Sequence, residues 1–283
     1  MARYGFCLLL IFTACAAPST EHAPSIGPLT VQSSDGVEIA ATVHSTGQPT
    51  VVLVHGWMCD QTYWENQVPA LAGDFGVVTV DLAGHGLSGS HRQTWTINAL
   101  ARDAAAVITH LELNDTIVIG HSMGGRVGLE VARLLPGTVT GVIGVDTLHN
   151  ADEVIGPEAA DFIGSLESDF TTTCGGFVPA MFGSNADRAL KDQITTDMCS
   201  GPGEIGAALM GDYVAFDLAA AMESAAVPIR CVNADLWPTN IEANRQYADF
   251  DAVILPGVGH FLMQEAPDEL NEALIELATA LSE

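Results

Sequence analysis

No stretch limits the fold of this chain more than Thr116 to Gly125, Thr-Ile-Val-Ile-Gly-His-Ser-Met-Gly-Gly. Its β-branched opening fits a buried strand and stops at Gly120. Behind Gly125, Val127, Val131 and Leu134 fall at helical spacing, and Pro136-Gly137 ends that run. Strand and helix are joined by Gly120-x-Ser122-x-Gly124, the spacing of a nucleophile elbow. Such a turn is so tight that the serine takes strained dihedrals and its hydroxyl projects above the sheet. A glycine-rich turn with an exposed serine would show the same letters. The strand before it and the helix after it separate the two readings.

The rest of the chain repeats that alternation. Leu29–Gln32 and Val37–His44 read as antiparallel strands turned at Asp35-Gly36. Thr50–Val54 is a continuous apolar run of the kind parallel sheets bury on both faces. A helix from Trp64 to Leu71 leads to the strand Val77–Val80, and Ile97, Leu100, Ala104, Val107 and Leu111 share one helical face. Val139–Val145 is the next strand, with Asp146 at its end. The pattern predicts an α/β domain: a mostly parallel central sheet with helices on both faces. From 147 to 226 strand periodicity disappears and Ala-rich helical pieces such as Ala186–Ile194 appear, too long for an ordinary loop. This segment reads as a helical cap inserted between a core of 29–146 and 227–283. Pro228–Asn233 and Asp251–Leu255 resume the strands, and Leu270, Leu274, Leu277 and Leu281 line a last helix.

The N-terminus differs in kind. Arg3 precedes the apolar run Phe6–Phe12, too short to span a bilayer, and small residues follow. Residues 1–14 therefore read as a secretory signal and 15–28 as a tether. Thr13-Ala14-Cys15 also resembles the end of a bacterial lipobox, in which Cys15 would be lipidated and hold the protein at a membrane; Phe12 stands where that pattern usually has leucine. Plain cleavage nearby, giving a periplasmic or secreted protein, is the other reading. Export permits disulfides. Cys174 and Cys199 flank one loop-rich segment and form the best candidate pair, while Cys59 and Cys231 read as buried free thiols. With 9 basic and 35 acidic residues the formal charge is −26, which repels phosphate backbones and makes nucleic acid an improbable partner.

Four motifs fall in an order similar to that of the α/β-hydrolase family. They are His55-Gly56-Trp57, Asp81-x-x-Gly84-His85-Gly86-x-Ser88, Gly120-His121-Ser122-Met123-Gly124-Gly125 and Gly257-x-Gly259-His260-Phe261. The resemblance covers residue 29 to the C-terminus, the cap matching only in position. It implies Ser122 as nucleophile, His260 as general base, and the backbone N–H groups of Trp57 and Met123 as oxyanion hole. His55, His85 and His121 then serve as turn-stabilising residues rather than metal ligands, and Asp81 anchors the Gly84-His85-Gly86 turn. No cofactor is implied, since no phosphate loop, CxxC or HExxH occurs.

The acid of the triad departs from the pattern. Relatives place a glycine and, three residues later, an aspartate after the strand beginning near Val227-Pro228. Here Trp237 occupies the acid's position. Asp235 is the nearest carboxylate and the first choice; Asp146, used at the equivalent place by some relatives, is the alternative. The activity implied is hydrolysis of small to medium carboxylic esters through an acyl-enzyme. Carbon–carbon bond hydrolysis, lactone opening and cofactor-free perhydrolysis use the same groups. Epoxide and haloalkane hydrolysis are disfavoured, because those relatives carry aspartate at the Ser122 position. A catalytically silent binding module is the reading from another class. Oligomeric state and substrate identity are not legible.

Overall fold

Eight strands form one sheet in the computed structural model, which describes Met1 and residues 25–283. Cys15 and the expected signal segment from residue 2 onward lie outside the described residues. The strands are β1 (Gly27–Gln32), β2 (Glu38–Ser45), β3 (Thr50–Val54), β4 (Gly76–Val80), β5 (Thr116–His121), β6 (Val139–Val145), β7 (Ile229–Ala234) and β8 (Phe250–Leu255). Their order in space is β1-β2-β4-β3-β5-β6-β7-β8. β2 runs antiparallel to both β1 and β4, and every other pairing is parallel.

Helices α1 (Val68–Leu71), α2 (Ile97–His110) and α3 (Met123–Leu134) connect the first strands. The continuous helix expected from Trp64 to Leu71 is corrected to a 3-10 turn at Gln61–Trp64 followed by the short α1. Pro69 explains the break, because it has no N–H to donate to the preceding turn. Between β6 and β7 come α4 (Glu158–Ser168), α5 (Phe170–Phe177), α6 (Arg188–Cys199), α7 (Gly203–Ala215) and α8 (Leu218–Ala225). A Cys174–Cys199 disulfide joins α5 to α6, and Cys59 and Cys231 are buried free thiols. The chain closes with α9 (Ile241–Asn244), α10 (Leu262–Glu265) and α11 (Pro267–Ala280).

Helices cover both faces of the sheet. A Cβ added to Gly141 would lie 2.8 Å from Leu281, just past α11, whereas one on Gly128 of α3 would lie 3.3 Å from Val142. Gly141 and Val142 are consecutive on β6 and so point to opposite faces. Thus α3 and α11 pack on opposite sides. Every residue of β3, β4 and β5 is buried. That burial is why these strands read as unbroken apolar runs rather than alternating ones.

Candidate active site

β5 delivers Ser122 into the connection to α3 with φ 53° and ψ −117°. Two glycines make this turn possible. A Cβ on Gly120 would stand 2.1 Å from the Gly124 carbonyl oxygen, and one on Gly124 would stand 2.4 Å from that of Val54. The Ser122 N–H donates to the Val145 carbonyl at 3.0 Å, tying the turn to the end of β6. Met58, Asp146 and Leu148 also hold positive φ, at 56°, 45° and 53°. Strain of this kind persists only where the surroundings over-determine the backbone, and it gathers at functional sites.

His260 lies in the loop after β8, fixed through its backbone on both sides. Its N–H donates to the Met181 carbonyl at 2.7 Å, and its own carbonyl accepts from His121 Nε2 at 3.0 Å. Its Nδ1 donates to Asp146 Oδ2 at 2.5 Å. A carboxylate can only accept, so the proton resides on Nδ1 and the Nε2 lone pair is left free. The second oxygen, Asp146 Oδ1, accepts from the Ala234 N–H at 2.8 Å. Each oxygen of the buried Asp146 carboxylate thus accepts one hydrogen bond, and His149 Nε2 stands 3.8 Å from Oδ1.

The pairing expected of Asp235 is corrected by this geometry. Asp235 Oδ1 accepts from the Gly257 N–H at 2.9 Å in an exposed turn, away from His260. Val145 and Val232 are register partners on adjacent strands, so Asp146 leaves the sheet just past that pair. Asp235 stands three residues beyond Val232, roughly 10 Å further along. Trp237 instead sets its ring edge-on against His260, with centroids 5.2 Å apart.

Ser122, His260, Trp57 and Met123 line one cavity of about 540 Å³. Met123 is the first residue of α3, where N–H groups have no intrahelical acceptor. Neither its N–H nor that of Trp57 donates to a protein group among the described residues. The Trp57 indole N–H donates to the Gly206 carbonyl of α7 at 2.8 Å, joining the β3 loop to the helices above the sheet. Phe162, Phe177, Met181 and Met210 supply an apolar wall from 158–215. His149 and Arg126 also line the cavity and were not singled out by sequence. Their signals were position alone: three residues after Asp146, and four after Ser122 in a chain with few basic residues.

The three turn histidines are buried; His55 and His85 bond within their own turns, whereas His121 bonds the His260 carbonyl. His55 Nδ1 donates to the Gly56 carbonyl while its Nε2 accepts from the Leu82 N–H, and His85 Nδ1 donates to the Ala83 carbonyl. Asp81 accepts from the Leu87 N–H at 2.9 Å and so holds the Gly84-His85-Gly86 turn. Burial pushes His55 down to about 4 and His85 to about 3, and it also holds His121 well below the usual imidazole range. The unfolded chain therefore takes up protons first as pH falls. The contribution of these histidines is complete above 6.5 and is lost from there toward pH 4 for His55 and pH 3 for His85. His55 alone is expected to remove roughly 2 kcal/mol by pH 5. Protonation of surplus carboxylates relieves self-repulsion, but chiefly below that window. Urea unfolding at pH 7.5 and pH 5 should show the fall; an equal or higher midpoint at pH 5 would contradict it.

The model of the "Alpha/beta hydrolase family" matches residues 51–273. The chain is 26% identical over 240 residues to the dihydrolipoyllysine-residue acetyltransferase component of the acetoin cleaving system of Pseudomonas putida, covering 81% of this chain and 63% of that protein. It is 28% identical over 153 residues to the karrikin insensitive 2 receptor CA of Petunia hybrida, covering 50% of this chain and 57% of the receptor. The matches thus span less than two thirds of these relatives. An esterase from Exiguobacterium antarcticum superposes with a TM-score of 0.79 at 18% identity, over 90% of this chain and all of that one. That likeness is one of fold.

Proposed function

The chain belongs to the alpha/beta hydrolase family, and within it we propose that this enzyme cleaves small to medium carboxylic esters by way of an acyl-enzyme. One observation carries the reading: a serine on a strained elbow and a histidine oriented by a buried carboxylate line the same cavity. Ser122 Oγ attacks the ester carbonyl and passes its proton to His260 Nε2. Asp146 keeps the ring in the accepting tautomer and stabilises the imidazolium that forms. The N–H groups of Met123 and Trp57 receive the developing oxyanion, and a donor of this kind typically contributes about 3 kcal/mol to the barrier. Collapse of the intermediate expels the alcohol, which takes the proton from Nε2. Water then gives its proton to His260, attacks the acyl-enzyme, and releases the carboxylic acid and free Ser122.

Lactone opening, carbon–carbon hydrolysis and perhydrolysis draw on the same groups. Ester cleavage requires nothing beyond them and a water molecule. The likeness to a petunia receptor supports a second reading, a binding module that retains the fold. A fluorophosphonate probe separates the two, because it reacts only with an activated serine. The expected result is stoichiometric labelling of Ser122, slowed while an excess of a p-nitrophenyl ester, itself hydrolysed, is present. Folded protein that neither labels nor turns over the ester would favour the binding module.

A further inference from the structure

The cavity holds a buried cation with no partner of opposite charge among the described residues. Arg126 is only 7% exposed, and it follows Ser122 by four residues on α3. Both line the same cavity, Arg126 about one helical turn past the elbow. Its Nη1 donates to the Tyr213 carbonyl at 2.8 Å, and its guanidinium carbon lies 3.5 Å from the centre of the Tyr213 ring. Phe216 adds a second aromatic contact at 5.8 Å. The Nε is buried and has no acceptor. No Asp or Glu pairs with this arginine among the described residues. Asp146 is committed to His260 and Ala234, and Glu153, also on the cavity wall, is exposed.

A buried guanidinium without a counter-ion is costly, and a bound anion offsets that cost. The Tyr213 carbonyl engages Nη1 and leaves the Nε edge without an acceptor among the described residues. This edge is the fork that meets a carboxylate through two parallel hydrogen bonds. We propose that Arg126 is the specificity residue of this cavity, and that the preferred ester carries a second group, a carboxylate, which Arg126 binds. The carboxylate can belong to the acyl or to the alcohol part. A single positive charge suits a monoanion better than a phosphate dianion.

This inference rests on the ester-hydrolase reading for its turnover test, so a binding test is paired with it. Two substrate pairs differ in charge at nearly constant shape: mono-p-nitrophenyl adipate against its terminal primary amide, and 4-acetoxybenzoate against 4-acetoxybenzamide. The charged member of at least one pair should show a kcat/KM higher by roughly 10- to 100-fold. Arg126→Gln should collapse that ratio, and Arg126→Lys, which keeps the charge but not the fork, should restore part of it. If Arg126 merely ties α3 to α7, Arg126→Gln slows both members of a pair in proportion. An unchanged ratio, or wild-type ratios near one in both pairs, overturns the proposal and leaves ester hydrolysis standing. Calorimetry on Ser122→Ala protein supplies the second arm. Hexanoate should bind at least about tenfold more tightly than hexanamide, and the difference should vanish when Arg126→Gln is added. That binding result without any ester turnover would sustain Arg126 as the anion site and sink the proposed reaction instead.

Discussion

Ser122→Ala is expected to lower kcat for p-nitrophenyl butyrate by roughly 10⁶, the loss seen when the nucleophile of a well-studied triad is removed. The fold should survive, because alanine fits the elbow no worse than serine and inherits the same positive φ of 53°. His260→Ala should cost nearly as much, and the double variant no more than either single one. In the proposed mechanism nucleophile and base form one functional unit: without His260 the hydroxyl keeps its proton, and without Ser122 the imidazole has nothing to activate. Residual catalysis over water should persist from the Trp57 and Met123 N–H groups. Initial rates on carefully separated protein, alongside circular dichroism, give the comparison. Ester hydrolysis at wild-type rate by Ser122→Ala would sink the mechanism, and additive losses in the double variant would mean that the two residues act separately.

The core was legible because its signals are local. A strand buried on both faces must be apolar throughout, and β3 and β5 announce themselves that way. The elbow is legible because backbone crowding at Gly120 and Gly124 admits no side chain. His260 follows from its Gly-x-Gly-His setting. The carboxylate that holds His260 is not local. Two strands that lie side by side, β6 and β7, each end near an aspartate, and only register decides which one reaches the imidazole. A linear pattern cannot see register. Arg126 was missed for a related reason: a basic residue on a helix reads as solvated surface until the helices of 158–225 are seen to cover it. The break between Gln61 and Leu71 was in plain view as Pro69, but the apolar spacing around it outweighed that single residue.

Asp146→Asn is expected to lower kcat by about 10⁴, the cost of the corresponding change in the best-studied Ser-His-Asp triad. The hydrogen bonds around Asp146 give the reason. One carboxylate oxygen accepts from the buried Ala234 N–H and the other from His260 Nδ1. An asparagine must keep its carbonyl oxygen toward Ala234, since that N–H has no other acceptor among the described residues. Its amide nitrogen then faces His260 and donates. Nδ1 becomes the acceptor, the imidazole proton moves to Nε2, and the ring can no longer take a proton from Ser122. Stability should change little, because the bond to Ala234 survives. Asp146→Ala removes both bonds and should also destabilise by roughly 1–3 kcal/mol through the orphaned N–H. Asp235→Asn keeps an oxygen for the Gly257 N–H and should stay within a few-fold of wild type. Fluorophosphonate labelling rates give a second readout, since the probe needs the same deprotonation of Ser122. A folded Asp146→Asn enzyme of near wild-type activity, with Asp235→Asn inactive, would return the acid's role to the later strand.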